Sequence, residues 1–311
     1  MSTEVRESVT YAKGGRNSYF HDLGRVSLGI EDPGALARLR SHAEEMESGA
    51  DGYHVLPTWM QEALAETPRG YLGLAPAIHL PYGADNIKIP NGDDVVNAPV
   101  VTLSGQQGVK FRQLHRGSPA QFDEVIFQDL RLDYHAKVAG LVISGRERVR
   151  GVRKTLGIAS LVAPAFGASM YRNKSAYHLI GEAVEGISGA SAVAMHPRRW
   201  AALRASFDGT VVKLPRDERP SWAVGEMHGV PVATDSMIPT DLGDNGDEDA
   251  VQVLRIEDLR RFASDVYPRV TVSKDGDPVF QIFGYHAFTA ELNPGNIVDI
   301  SGPGLSKPEF G

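Results

Sequence analysis

In the stretch Pro90-Asn91-Gly92-Asp93-Asp94, two carboxylates directly follow an Asn-Gly pair. Adjacent carboxylates can hold a hard cation or share a proton. Asn-Gly is also a strong hairpin signal, because both residues accept the positive φ of a type I′ turn. A second acidic stretch, Asp241-Leu242-Gly243-Asp244-Asn245-Gly246, approaches a calcium loop, but Gly243 stands where a third-position ligand belongs and Gln252 where the bidentate glutamate belongs. With Asp247 and Asp249 it reads as an acidic loop. Gln106, Gln107, Lys110, Arg112 and His115 form a polar run that invites a catalytic reading. Alternation of Val109, Phe111 and Leu114 with Lys110, Arg112 and Gln113 instead predicts a strand with one wet face and a bulge near its end. The ten histidines never fall three to five residues apart, so the HxxxH and HExxH metal helices are missing. Gly186-Ile187-Ser188-Gly189-Ala190 ends in alanine and reads as a helix C-terminus rather than a nucleophile elbow. Walker and GxGxxG loops are missing as well. The expectation is a non-enzyme with no catalytic residue, no cofactor and no metal, which shifts weight toward a structural or assembly role.

At 311 residues and 42% hydrophobic, the chain can bury a large core as one big domain or two smaller ones. No run of 18 apolar residues exists and the first residues lack an apolar signal segment, so a soluble protein of the cytoplasm is expected. Zero cysteines remove disulfides and thiolate ligands together. A formal charge of −7 argues against a surface that embraces nucleic acid throughout. Charge is nevertheless uneven. Seven basic residues lie between Arg146 and Lys174 against Glu147 alone, and eight acids lie between Asp235 and Asp258 against Arg255 alone. Patches of opposite sign suit head-to-tail association of identical copies, and solvated loops without a partner explain each patch equally well.

Elements that would carry these residues follow from periodicity. Residues 1–52 read as an arm, with an aromatic cluster at Ser18-Tyr19-Phe20 and a helix from Pro33 to about Met46 burying Leu36, Leu39 and Ala43. That face is too small to fold alone and needs another surface, its own body's or a neighbour's. Pro57–Leu64 reads as a short helix. Strands are expected over Ile87–Ile89 and from Val95 through Leu103, on either side of the Asn-Gly turn. Ser118-Pro119-Ala120-Gln121 is a capping box with proline at the first helical position. Phe122, Val125, Ile126, Leu130, Tyr134, Val138 and Leu141 then recur at spacings of three and four, predicting a helix over 119–143, about 37 Å long and ended by Gly145. Another helix is expected from Ser175 and one from Pro197, with a buried strand at Ala192–Met195. Strands follow at Val230–Thr234 and Val251–Ile256. A long hairpin then has arms Val266–Ser273 and Val279–Ala290 around Lys274-Asp275-Gly276-Asp277. The class is α+β, with helices and antiparallel strands mixed and no βαβ repeat.

Taken in order, several stretches resemble the major capsid proteins of tailed bacteriophages, with the Hong Kong 97-type fold, and look most like those of phages infecting actinobacteria. They include Ser18-Tyr19-Phe20-His21-Asp22-Leu23, Gly52-Tyr53-His54-Val55-Leu56-Pro57-Thr58-Trp59 and Ile87-Lys88-Ile89-Pro90. Further on come Ala98-Pro99-Val100-Val101-Thr102-Leu103-Ser104-Gly105-Gln106-Gln107, Ser118–Phe127, Ala194–Trp200, Met227–Val232 and Gly284–Ala290. Their order and coverage, from Ser18 to about Gly304, carry the resemblance.

The resemblance implies an N-terminal arm over 1–52, with Tyr19 and Phe20 making assembly contacts. It implies a peripheral domain beginning over 53–149, with an extended loop at about 87–100 and a spine helix at about 119–143. An axial domain follows over 150–254, with Asp241, Asp244, Asp247 and Asp249 on a loop near its tip. Residues 255–311 return to the peripheral domain and supply a C-terminal strand. The implied function is a subunit of an icosahedral shell enclosing double-stranded DNA without sequence-specific binding, a virion component assembled in the host cytoplasm. Implied partners are identical copies in hexamers and pentamers, with scaffolding, portal and decoration proteins as candidates and no membrane. The short arm leaves little room for a built-in scaffold. One departure stands out. Only seven residues, Asn91–Asn97, separate Pro90 from Ala98, where the family usually has a long two-stranded excursion across a neighbour. Seven extended residues reach at most about 25 Å and a hairpin halves that, so Pro90, Asn91, Gly92, Asp93 and Asp94 are expected to close a shortened loop. A variant or minor shell protein and an encapsulin-type cargo compartment are the alternatives, followed by an unrelated α+β enzyme.

Overall fold

Short polar side chains set where the first helices begin. Ser18 caps α1 (Tyr19–Ser27) by accepting from the His21 N–H, and Asp32 caps α2 (Pro33–Glu45) by accepting from the Ala35 N–H. The computed structural model describes residues 9–46, 55–65, 70–115, 118–147, 168–206, 220–301, 305 and 307–308. After α2 come α3 (Thr58–Ala65), α4 (Tyr71–Leu74), β1 (Ala77–Leu80), β2 (Ile87–Asn91), β3 (Asp94–Ala98) and β4 (Val101–Gly108). The 29-residue helix α5 (Pro119–Glu147) follows, then α6 (Ala168–Gly186), β5 (Ala192–Met195) and α7 (Pro197–Ser206). The remaining strands are β6 (Gly225–Met227), β7 (Val230–Thr234), β8 (Val251–Leu254), β9 (Arg260–Ser264), β10 (Tyr267–Val272), β11 (Pro278–Thr289) and β12 (Ile297–Ile300).

Two five-stranded sheets organise the chain. The first has the order β1-β9-β11-β10 with β4 on the other side of β11, and the second has the order β12-β8-β5-β7-β6. Each contains one parallel pair, β1 with β9 and β5 with β7, where antiparallel pairing alone was expected. Because β12 pairs with β8 while β9, β10 and β11 belong to the first sheet, the strands after residue 254 divide between the two sheets. The α5 residues Ile126, Leu130, Tyr134 and Val138 pack with Phe280 and Ile282 of β11 in one core cluster. Ile180 of α6, Trp200 and Leu203 of α7, and Val193, Val232 and Val253 of the second sheet form another. Helix α5 lies so close to β4 that a Cβ at Gly105 would overlap the Leu130 carbonyl oxygen.

The α5 side chains also finish the outer edge of β4. Asp133 Oδ2 accepts from the Gln106 N–H at 3.0 Å, Lys137 Nζ donates to the Ser104 carbonyl at 2.7 Å, and the two side chains pair with each other at 3.0 Å.

Several expectations are corrected. Helix α5 continues four residues past 143, through Gly145; one glycine costs a helix only about 1 kcal/mol and does not by itself end it. Val125 is 59% exposed and lies off the buried stripe. Helix α6 starts at Ala168, ahead of Ser175. The Ser18-Tyr19-Phe20 cluster opens a helix, and the buried face of α2 is Ala35, Leu39 and His42. Phe111–His115 is a 3₁₀ turn, not a strand. There the Phe111 N–H donates to Asp277 Oδ1 and the Gln113 N–H to the Lys110 carbonyl, so a distant side chain and a turn carbonyl replace a ladder. The strand expected from Val95 through Leu103 breaks at Pro99, where Val100 N–H turns to Asn86 Oδ1.

Candidate assembly surfaces

The β2–β3 hairpin carries the first pair of carboxylates. Its ladder runs from Ile87 opposite Ala98 to Asn91 opposite Asp94, leaving Gly92 and Asp93 as the two-residue loop. Gly92 has φ +63°, and His228 is the one non-glycine with positive φ among the described residues. Positive φ at the first loop position alone is the type II′ pattern, so the turn is centred one residue later than a type I′ Asn-Gly turn. Asp93 is a turn residue and Asp94 is the first residue of β3, both exposed. Asn91 Nδ2 donates to the Leu292 carbonyl at 2.8 Å, tying the end of the hairpin to the chain's own body. At its base, Ile87, Ile89 and Val100 pack against Leu80, Ala98, Phe262 and Ala287. The hairpin is therefore short and folded back. Among the described residues, no three His, Asp or Glu side chains gather where they could hold a metal ion.

The arm is held much more deeply. Tyr19 and Phe20 are both 0% exposed, and the Phe20 ring meets Phe280 edge-on at 5.3 Å between centroids. Expected to touch a neighbour, these residues are consumed in packing against their own chain. Asp123, near the start of α5, receives the first turn of α1. Its carboxylate accepts from Ser18 Oγ at 2.6 Å, Tyr19 N–H at 2.7 Å and Phe20 N–H at 3.0 Å. Burial pushes the Asp123 carboxyl up to about 6, against the pull of those three hydrogen bonds. Asp22, also in α1, is clasped by Arg38 Nε and Nη2 at 2.6 and 2.7 Å and by Tyr11 Oη at 2.9 Å. Burial alone would raise its pKa, but the bonds from Arg38, His21 and Tyr11 bring it down to about 2. Sequence spacing carried no sign of Asp123, whose partners lie 103 to 105 residues away.

The acidic stretch between Asp235 and Asp258 is not one surface. Asp241 and Asp244 are exposed and Asp247 is half-buried, but Asp249 is 0% exposed. Arg198 Nε meets Asp249 Oδ1 at 2.7 Å and Arg199 Nε meets Oδ2 at 2.9 Å. The Asp249 N–H and Arg199 Nη2 both donate to the Leu305 carbonyl, so this acid ties the loop to the C-terminal segment. Asp258 is likewise buried, accepting from Asn293 and Asn296 at 2.7 Å each. The assignment of Asp249 to the loop's assembly residues is thus corrected. Side chains of the basic run Arg146–Lys174, and that of His115, lie outside the described residues. Elsewhere in the polar run, Gln106 Oε1 accepts from Gln281 across the ladder, while Lys110 and Arg112 are exposed.

Two exposed apolar features lie outside the residues expected at assembly surfaces. Val125 and Leu132, seven residues apart on α5, are 59% and 57% exposed. Tyr82, 68% exposed, stands edge-on to Tyr267 and Tyr285 at 5.1 and 5.5 Å, and Arg269 lies over the neighbouring Phe283 ring at 5.3 Å. Tyrosine, arginine and exposed aliphatic side chains are what protein–protein contacts favour. Among the described residues, no helix is long and apolar enough to cross a membrane.

No protein-family model matches the sequence, and none of the curated proteins does. Solved structures do resemble it. A virus-like particle from Pyrococcus furiosus superimposes with a TM-score of 0.52 at 16% identity, over 78% of this chain and 96% of that one. The holo-SrpI encapsulin complex from Synechococcus elongatus PCC 7942 gives 0.50 at 11% identity, over 75% and 86%. The capsid of an empty GTA particle gives 0.48 at 13% identity, over 76% and 93%. At such identities the likeness concerns fold, and in the first two cases it spans most of both chains. The mixed helices and sheets described above accordingly have the Hong Kong 97-type fold of the virus-like particle and the encapsulin.

Proposed function

We propose that this chain is the structural subunit of a closed icosahedral phage head that encloses double-stranded DNA, and that it carries out no reaction. The observation that carries this reading is the superposition over 96% of the virus-like particle chain. Exposed apolar and aromatic side chains on α5 and beside β10 and β11 supply surface for repeated contacts. In this reading α5 with the first sheet is the peripheral domain, and α6 and α7 with the second sheet are the axial domain. Asp241 and Asp244 lie on an axial loop. The short β2–β3 hairpin cannot interlock neighbours, so shell contacts run through body surfaces, with scaffolding, portal or decoration proteins supplying the rest.

Electron microscopy of the purified protein, alone and with its candidate partners, tests the reading. Closed particles with pentamers and hexamers are expected, together with nuclease-protected DNA from infected or producing cells. Uniform monomers or dimers under all those conditions refute it. The likeness to the encapsulin favours a second reading, a cargo compartment. Particles enclosing a packed enzyme and no nucleic acid would establish that one instead.

A further inference from the structure

Alternation puts Phe280, Ile282, Gly284, His286 and Phe288 of β11 on the face that α5 covers. His286 is the polar side chain in that row, and it is buried. Its Nε2 meets the Tyr134 hydroxyl of α5, and Gly284 makes room for the contact, since a Cβ there would overlap that hydroxyl. The groups around the contact carry positive charge or can acquire it. From β9 comes Arg261, half-buried and two residues before Ala263, the ladder partner of His286, so that it shares the same face. From α5 come His135, whose ring lies 5.8 Å from that of Tyr134, and Arg131. From β1, His79 stands in the row of Ala263 and is exposed. On the other side β4 offers Val101, and Asp265 turns its backbone carbonyl toward Gly284. Burial, then the charges of Arg261 and His135, hold His286 down to about 4, and burial with Arg131 lowers His135.

A neutral imidazole suits this site and an imidazolium does not. Protonation would set a second positive charge beside Arg261 under the helix, whereas an imidazole released into water takes up its proton at the ordinary 6.5. We propose that the Tyr134–His286 contact, with Arg261 and His135 around it, is an acid-sensitive joint between α5 and the first sheet. At neutral pH it fastens the second half of the helix, and acidification lets that half lift while the second sheet stays packed. His196, beside the second sheet, is also lowered by burial, but there Asp249 and Asp235 act in the opposite direction. Because His286 binds its proton less tightly in the closed form, the joint's contribution is whole above about pH 6.5 and is lost progressively as the pH falls to about 4. One proton taken up on opening raises the open fraction by up to about tenfold per pH unit across that window. Asp123, near the start of α5, titrates in the opposite sense, so the joint is isolated by comparing variants that all retain it.

Amide hydrogen exchange of the full chain, corrected for the intrinsic pH dependence of exchange, tests the joint. Between pH 7 and pH 5, amides of residues 131–138 are expected to lose at least about tenfold in protection relative to those of α6. His286→Gln keeps a hydrogen-bonding partner for Tyr134 and removes the titration, so most of that loss should vanish. Arg261→Met removes the neighbouring charge and should shrink it. NMR of labelled histidine should place the wild-type His286 titration well below 6.5, and closer to 6.5 in Arg261→Met. A loss as steep in His286→Gln as in wild type overturns the proposal, and so does an equal loss across α5 and α6. An imidazole that titrates near 6.5 in the folded wild type overturns it as well, a result that stands even where His286→Gln does not fold.

Discussion

The N-terminal arm and the β2–β3 hairpin are held in unlike ways. The arm inserts two aromatic rings with no exposure and sets the first turn of α1 on a buried carboxylate. The hairpin rests on a few half-buried aliphatic side chains at its base and one amide-to-carbonyl bond near its tip. One segment is therefore part of the core and the other is an appendage. The arm is thus a structural member of the fold, and the hairpin is cheap to displace.

The contrast breaks most completely at Phe20. Phe20→Ala should destabilise the chain by about 3–5 kcal/mol, measured by denaturant unfolding, with amide exchange accelerated across α1 and α2. Asp123→Ala should cost about 2–4 kcal/mol, since the Ser18 hydroxyl and two backbone N–H groups lose their acceptor. Asp123→Asn, which keeps one carbonyl acceptor, should cost less.

Acid sharpens the same comparison. A carboxyl at about 6 in the folded chain, against an ordinary 3.8, binds its proton more tightly when folded. The penalty from Asp123 is accordingly absent below about pH 4 and complete above about pH 6. Asp22, held at about 2, works in the opposite sense: its contribution is full above about pH 4 and is lost as the pH falls through about 2. Melting temperatures of wild type minus Asp123→Asn should therefore fall as the pH rises from about 4 to about 6. A flat difference would show that the arm does not sit on that carboxylate. At the hairpin the effects are smaller. Asn91→Ala should cost about 0.5–1.5 kcal/mol, read most directly as faster proteolysis between β2 and β3. Asp93→Asn with Asp94→Asn should stay within about 0.5 kcal/mol, and calcium or magnesium should not shift its melting temperature.

Local signals were legible in the sequence and distant ones were not. The strand Ala192–Met195, the α7 start at Pro197 and the hairpin around Gly276 stand where proline, glycine and short apolar runs indicate. These depend on neighbours a few residues away. Phe111–His115 misled because alternation is only half of a strand; the other half is an available ladder, and Asp277 occupies the donor that would need one. Asp249 looked like a member of an acidic loop because its partners Arg198 and Arg199 precede it by about fifty residues.

The Asp133–Lys137 pair on α5 has a consequence for how copies can meet. By occupying the Gln106 N–H and the Ser104 carbonyl, it withdraws from the rim of β4 two of the backbone groups to which a foreign strand would bind. Growth by strand addition, which is open-ended and indifferent to side chains, is disfavoured where those two groups are occupied. In the proposed shell, copies meeting at that rim would fit through shaped side-chain surfaces, and such contacts fix an angle at every joint. Fixed angles are what let a growing assembly curve and come to an end.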